Sequence, residues 1–237
     1  MLIKDKVILI TGASGGIGRA ISQHLAGLGA TMVLTARDQT ALAHLSAQIP
    51  GSVTIPGDVT KAADRQMIVE TAMERCGRID ALINCAGQAM FGSIEKINLE
   101  TFQSLLDLNV VAPLGLMQLV IPHLRVQGGG SILNISSLAS TKYIPNIAGY
   151  ASTKYALNAL SLTARAELAK DNIVVSIIRP GIVDTDFGKN TPSPEPEALR
   201  RAPDGSILPH VISPDTVAKK VAEILQSGEP ELDILEN

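Results

Sequence analysis

The chain has 237 residues, 46% of them apolar and 18% charged, with a net charge of −3. That is enough for one large α/β domain with a sizeable core, and the absence of any basic block argues against nucleic acid as a partner. Two cysteines, Cys76 and Cys85, suggest no disulfide framework and a reducing compartment. The apolar run at the N-terminus is too short for a signal h-region or a bilayer span, so a soluble cytoplasmic protein without a membrane partner is expected.

Apolar, β-branched runs recur along the chain at 6–11 (KVILIT), 31–36 (TMVLTA), 51–56 (GSVTIP), 80–85 (DALINC), 131–136 (SILNIS) and 173–178 (IVVSII). Each is nearly continuous in apolar character, as strands covered on both faces are. Helical patterns fall between them at 16–28, 38–48, 61–76, 99–126 and 149–170, with a last helix at 214–227 and an edge strand at 231–235. Strand and helix alternating in this way predict an α/β fold, a doubly wound parallel sheet in three layers. No repeat or composition break marks a second domain, so residues 1–237 are read as one unit. Residues 186–212 carry Pro192, Pro194, Pro196, Pro203 and Pro209, a density that ends helices and ladders; a loop or lid over a site is expected there.

Directly after the first strand stands TGASGGIGRA, with Gly12, Gly16 and Gly18 in a G-x-x-x-G-x-G spacing. Glycines at a first strand-to-helix junction let the backbone approach a pyrophosphate lying at the helix N-terminus. It is not a G-x-x-x-x-G-K-[ST] loop, which disfavours nucleoside triphosphate hydrolysis. At the end of the second strand an NAD site places an acid to receive the ribose hydroxyls. Here Ala36 takes that place and Arg37 follows. A guanidinium has a charge to meet on a 2′-phosphate and none on a neutral ribose, so NADP(H) is expected rather than NAD(H). Farther on, Tyr150 and Lys154 are four residues apart at the opening of a helix, hence on one face. Alone, such a pair is most often an exposed helix pair.

In chain order the glycine turn, NCAG (84–87), NISS (134–137), YASTK (150–154) and RPG (179–181) together resemble the short-chain dehydrogenase/reductase family over nearly all of residues 4–228. The resemblance implies a single-domain Rossmann fold and an active-site tetrad on Asn109, Ser137, Tyr150 and Lys154. Ser137 is taken over Ser136 because its distance ahead of Tyr150 is the family's usual separation. The resemblance also implies cofactor contacts from Ser14 and Ile17 in the glycine turn and from Asp58, beside Val59, at the adenine. Asn84, Ala86 and Gly87 would line the adenosine side. Pro180, Gly181, Ile182, Val183 and Thr185 would cover the nicotinamide, with Thr185 near its carboxamide and Tyr150 and Lys154 nearby. Two positions depart from the pattern: Cys85 stands where a second Asn is common, and Gly15 where NADP-using relatives often carry a basic residue.

Carbonyl reduction needs a hydride on carbon and a proton on oxygen. A tyrosine with its ordinary pKa of about 10 is a weak acid, and the Lys154 ammonium, joined by the positive nicotinamide in the oxidised complex, is expected to bring Tyr150 toward the working range. Ser137 would hydrogen-bond the substrate oxygen, and Asn109 would hold a water linking Lys154 to solvent. The resulting expectation is an NADP(H)-dependent oxidoreductase acting on a carbonyl or secondary alcohol. Met90, Phe91, Leu138, Tyr143, Ile144, Ile147, Ile182 and Phe187 make its candidate pocket walls apolar, which points to a mid-sized apolar ketone or aldehyde. Two other readings stay open: an NADP-binding sensor or scaffold without turnover, and an epimerase or dehydratase of the extended relatives. The four histidines are scattered without ligand spacing, so no metal is expected. Helices 99–126 and 149–170 hold more small and apolar residues than one buried stripe needs, among them Ala151, Ala156, Ala159 and Ala166. In the family these helices pair between subunits, so a homodimer or homotetramer is expected.

Overall fold

The structure, a computed structural model, describes residues 1–188, 191 and 211–235. The strands are β1 (Val7–Thr11), β2 (Thr31–Thr35), β3 (Val53–Thr54), β4 (Ala81–Asn84), β5 (Gly130–Ile135), β6 (Ile173–Pro180), β7 (Ile182–Val183), β8 (Val211–Ile212) and β9 (Glu231–Ile234). The helices are α1 (Gly16–Gly27), α2 (Gln39–Ala47), α3 (Ala62–Cys76), α4 (Leu99–Leu106), α5 (Ala112–Val126), α6 (Ala148–Leu168) and α7 (Pro214–Ser227). Seven strands form one sheet in the order β3-β2-β1-β4-β5-β6-β9, and every pairing in it is parallel. This is the doubly wound Rossmann-like architecture. The chain winds outward from β1 to β3, then crosses back to lay β4 on the other side of β1. The carboxyl ends of β1 and β4 are thus the switch point of the sheet, where such folds hold their ligands.

Alternation along each strand makes the three layers. Ile8 and Ile10 of β1 face one way, onto Ile21 and Leu25 of α1 and Val217 and Val221 of α7. Val7 and Leu9 face the other, onto Ile68 of α3 and Leu116, Val120 and Leu124 of α5. Helix starts are set by side-chain caps: Asp38 accepts from Ala41 N, Asn98 from Thr101 N and Ser213 from Thr216 N. The stretch 99–126 is long and apolar enough by composition to cross a bilayer. In the fold it instead buries Leu105, Ala112, Leu116, Val120 and Leu124.

That stretch is not one regular helix, as the sequence suggested. A π-turn over Asp107–Val111 separates α4 from α5, and the Ala112 amide donates to Asp107 O, five residues back. Pro113 explains the rewiring, since it has no N–H to offer the Asn109 carbonyl four residues earlier. β3 is also shorter than the apolar run 51–56. The proline-rich stretch expected as a lid over 186–212 begins with a short 3-10 turn at Asp186–Gly188. It ends in β8, which pairs with β7 through Ile182↔Val211 and Val183↔Ile212. Residues 189, 190 and 192–210 of that expected lid lie outside the described residues.

Candidate active site

The turn after β1 fits a phosphate-bearing cofactor. Gly12 has φ +66, and a Cβ there would meet the backbone of Ala86 at 2.8 Å, so only glycine lets the ends of β1 and β4 come together. A Cβ on Gly18 would run into the Gly12 carbonyl, which fixes α1 tightly on the turn. Thr11 Oγ1 accepts from both Cys85 N and Ala86 N at 3.0 Å, locking the two strand ends. α1 begins after Gly15 with no side-chain cap, which leaves first-turn amides for an anion. Thr185 lies directly over Gly16. At the carboxyl ends of β2 and β4, Thr35 Oγ1 and Asn84 Oδ1 are buried without a hydrogen-bond partner. Polar atoms in that state fit a ligand-binding crevice better than a sealed core.

Of the other positions the sequence assigned to a cofactor, Arg37 is exposed at the end of β2, within electrostatic range of Asp58. The Asp58 carboxylate accepts from Thr60 N at 3.1 Å and Thr60 Oγ1 at 2.8 Å. Burial works against its ionisation, but the Thr60 hydrogen bonds and the Arg37 and Lys61 charges prevail and hold its pKa below the usual value. Asn84 spends its amide nitrogen on Asn134 Oδ1 at 2.8 Å. Pro180 is buried at the end of β6, and Gly181, Ile182 and Val183 are half-buried beyond it.

The four residues of the resemblance converge although they come from three separate segments. α6 carries Tyr150 and Lys154; Lys154 Nζ stands 5.9 Å from the Tyr150 ring centroid and donates to Ile135 O at 2.9 Å. Ser137, just past β5, stands near enough to Tyr150 for its hydroxyl to favour the phenolate. Its neighbour Ser136 is buried and donates to Asn158 Oδ1 at 2.6 Å, so of the two hydroxyls Ser137 is the one facing Tyr150. Asn109, on the π-turn, is fully buried: its Oδ1 accepts from Gln88 N at 3.0 Å, and its Nδ2 donates to Gln88 O at 2.9 Å and Thr153 Oγ1 at 3.0 Å. Both the Asn109 amide and the Lys154 ammonium stand within about one methyl of Gly87. The Asn109 side chain is therefore a clamp between the 87–88 turn and α6. Its backbone carbonyl lacks the usual donor four residues on, because Pro113 has no N–H.

In the chain alone, burial dominates the electrostatics of Tyr150 and Lys154. Burial pushes the Tyr150 phenol up to about 12, with the Ser137 hydroxyl working in the opposite direction. Burial pushes Lys154 down to about 8. Desolvation thus outweighs the ammonium's pull at this distance. Around neutral pH the pair is a protonated phenol beside a mostly protonated amine.

Apolar side chains surround the phenol. Phe187 meets the Tyr150 ring edge-on at 6.1 Å, and Ala89, Phe91, Ala139, Ile147 and Ala151 form a cluster against it. Tyr143 departs from the expected pocket wall, being 96% exposed and stacked on Tyr155 at 6.2 Å. Ala151, expected on a subunit-facing stripe, is buried in the Tyr150 cluster, while Tyr155, Ala159 and Ala166 are exposed on α6. Sequence reasoning missed Gln88, Thr153 and Asn158. Each is a polar residue with a hydrogen-bond partner at least 21 residues away, and only the place of Thr153 and Asn158 on the same predicted helix as Tyr150 hinted at them.

A family model described as short chain dehydrogenase matches residues 6–196. The human protein named dehydrogenase/reductase SDR family member 4 is 36% identical over 192 residues, covering 79% of this chain and 69% of that one. An uncharacterized oxidoreductase of Staphylococcus epidermidis is 33% identical over 191 residues, covering 80% and 83%. Among solved structures, the 3-ketoacyl-(acyl-carrier-protein) reductase of Brucella melitensis complexed with NADH superposes with a TM-score of 0.87 at 26% identity, covering 98% of this chain and 97% of that one. A 7 alpha-hydroxysteroid dehydrogenase complexed with NADH and 7-oxo glycochenodeoxycholic acid gives 0.85 at 27% identity, covering 98% and 93%.

Proposed function

This chain belongs to the short-chain dehydrogenase/reductase family, and we propose that it is a cytoplasmic NADP(H)-dependent carbonyl reductase acting on a mid-sized apolar ketone or aldehyde. The observation that carries the reading is the meeting of Ser137 with Tyr150 under apolar side chains, beside the uncapped start of α1. Gly12, Gly16 and Gly18 would hold the cofactor's pyrophosphate and Asn84 and Asp58 its adenosine half, with Arg37 toward a 2′-phosphate. When bound, NADPH supplies the hydride.

The residues of this chain supply the rest. Tyr150, protonated at neutral pH, gives its proton to the carbonyl oxygen as negative charge develops there. The Ser137 hydroxyl donates a hydrogen bond to the same oxygen. Lys154 holds positive charge beside the phenol and stabilises the phenolate left behind. Asn109 holds the 87–88 turn at its distance from α6, so that Lys154 has a wall to stand against. Phe187, Phe91 and Ile147 exclude water from the reacting oxygen and favour apolar substituents on the substrate.

Two relatives were solved with NADH, which makes NAD(H) the competing cofactor; Ala36 and Arg37, with no acid at the end of β2, favour the phosphorylated form. The function is tested by following NADPH absorbance with a panel of apolar ketones and aldehydes. Turnover of apolar members supports the reading. Tight NADPH binding with no turnover of any compound would favour a sensor or scaffold.

A further inference from the structure

Three consecutive residues at the end of β5 are each tied to α6. Asn134 Nδ2 donates to Ser161 Oγ at 2.7 Å, Ile135 O accepts from Lys154 Nζ at 2.9 Å, and Ser136 Oγ donates to Asn158 Oδ1 at 2.6 Å. Ser137 follows immediately. The other end of the Asn158 amide reaches around it: Nδ2 donates to Ser140 Oγ at 2.8 Å, and Ser140 Oγ donates to Ser137 O at 2.6 Å. That carbonyl also accepts from Ser140 N at 3.0 Å. Asn158 therefore grips the chain on both sides of Ser137.

The whole assembly is out of water, with Ser136 4%, Ser140 3% and Asn158 9% exposed. Asn158 must offer an acceptor to one serine and a donor to the other, and a carboxamide is the side chain that carries both. Aspartate would lose the donor and leucine would lose both, leaving Ser136 Oγ only the long 3.4 Å contact with Ser140 Oγ and taking from Ser140 Oγ its amide donor. Asn158 is also one turn beyond Lys154 and two beyond Tyr150, so the three share a helix face. The same face that carries the phenol thus fixes the segment that carries the serine hydroxyl.

We infer that Asn158 is a positioning residue for the reaction, holding the Ser137 hydroxyl where it and the Tyr150 phenol meet one substrate oxygen. The inference rests on the carbonyl-reductase reading. Two hydroxyls on two different elements must converge on one atom, and an error of about 1 Å in such an arrangement costs on the order of 10²-fold in rate. Among the described residues the Ser137 hydroxyl has one hydrogen bond to its own segment, accepted from Ala139 N at 3.1 Å. Asn158 supplies the long-range restraint.

The test is a double-mutant cycle on the full chain, with Asn158→Leu, Ser137→Ala and both together. Asn158→Leu is expected to lower kcat on the order of 10²-fold while the Kd for NADPH stays within about twofold of the parent's. In the Ser137→Ala background it should lower kcat little further, because the group it positions is gone. Asn158→Asp, which keeps the acceptor for Ser136, should fall between parent and Leu. A role in stability alone would give losses that multiply across the two sites, and that result overturns the inference, as does an unchanged kcat. If Asn158→Leu does not fold, Ser140→Ala takes its place in the same cycle. Amide hydrogen exchange gives a reading that needs no substrate: in either variant the residue-140 amide should exchange at least about tenfold faster, with the α6 amides unchanged. Unchanged exchange at residue 140 overturns the inference even if no carbonyl compound is turned over, an outcome that separately sinks the reductase reading.

Discussion

Lys154→Met should make the protein more stable and nearly inactive. The side chain is 4% exposed, and burial lowers its pKa from 10.5 to about 8, a difference equivalent to about 3 kcal/mol of penalty for keeping the ammonium charged inside. Methionine fills a similar volume without charge. The variant loses the hydrogen bond from Nζ to Ile135 O, which offsets about 1 kcal/mol. A gain of about 2 kcal/mol at pH 7 remains, or roughly 4–8 °C in Tm for a chain of this size. The pH dependence follows from linkage. The folded-state pKa lies below the unfolded one, so the unfolded chain holds more protons between about pH 8 and 10.5, and parental stability rises with pH across that window. The penalty is complete below about pH 8 and is relieved as pH rises, so the variant's advantage should shrink by about 1 kcal/mol between pH 7 and pH 9. Urea melts of cofactor-free parent and variant at both pH values measure this directly. A variant less stable than the parent at pH 7, or an advantage that does not change with pH, would refute the claim that burial of a charged Lys154 is a cost kept for function.

Tyr150→Phe removes one oxygen and keeps the ring against Phe187; folding and NADPH binding should persist while kcat falls about 10²–10⁴-fold, and a variant retaining most activity would leave Tyr150 without a role as proton donor. Arg37→Ala should weaken NADPH by about ten- to 150-fold and leave NADH nearly unchanged; titration of both cofactors checks this, and equal loss for both would move the preference away from Arg37. The exposed Tyr155, Ala159 and Ala166 on α6 suit a second copy of the chain, so light scattering at micromolar concentration should give the mass of a dimer or a tetramer. A monomer there would mean that the small residues of α6 serve close packing within one subunit.

The elements that sequence revealed well are those whose cause is local. A buried parallel strand must be apolar throughout, so the runs at 6–11, 31–36 and 173–178 stood out; β3, which pairs through only Val53 and Thr54, is an edge that its apolar run overstates. The glycine turn was legible because close approach of backbone to backbone excludes every Cβ. The π-turn was not, although its cause, Pro113, is visible in the sequence: a proline inside a helical pattern signals a break, and only its distance from Asn109 shows which carbonyl the break releases. The positions of Asn109, Ser137, Tyr150 and Lys154 were picked out through the family resemblance, whereas the groups that hold them were not. Asn158, Thr153 and Gln88 act through partners 18 to 44 residues away, and no periodicity encodes a hydrogen bond of that reach. The effect of burial on Tyr150 was not legible for a related reason. Sequence shows that an ammonium is near, but desolvation depends on everything packed around the pair, from Phe91 and Ile147 to Ala89 and Ala151, and those residues are brought together only by the fold. Under the reductase reading, the apolar shell that a sequence reading treats as a specificity wall also keeps the Tyr150 phenol protonated and so available as the proton donor.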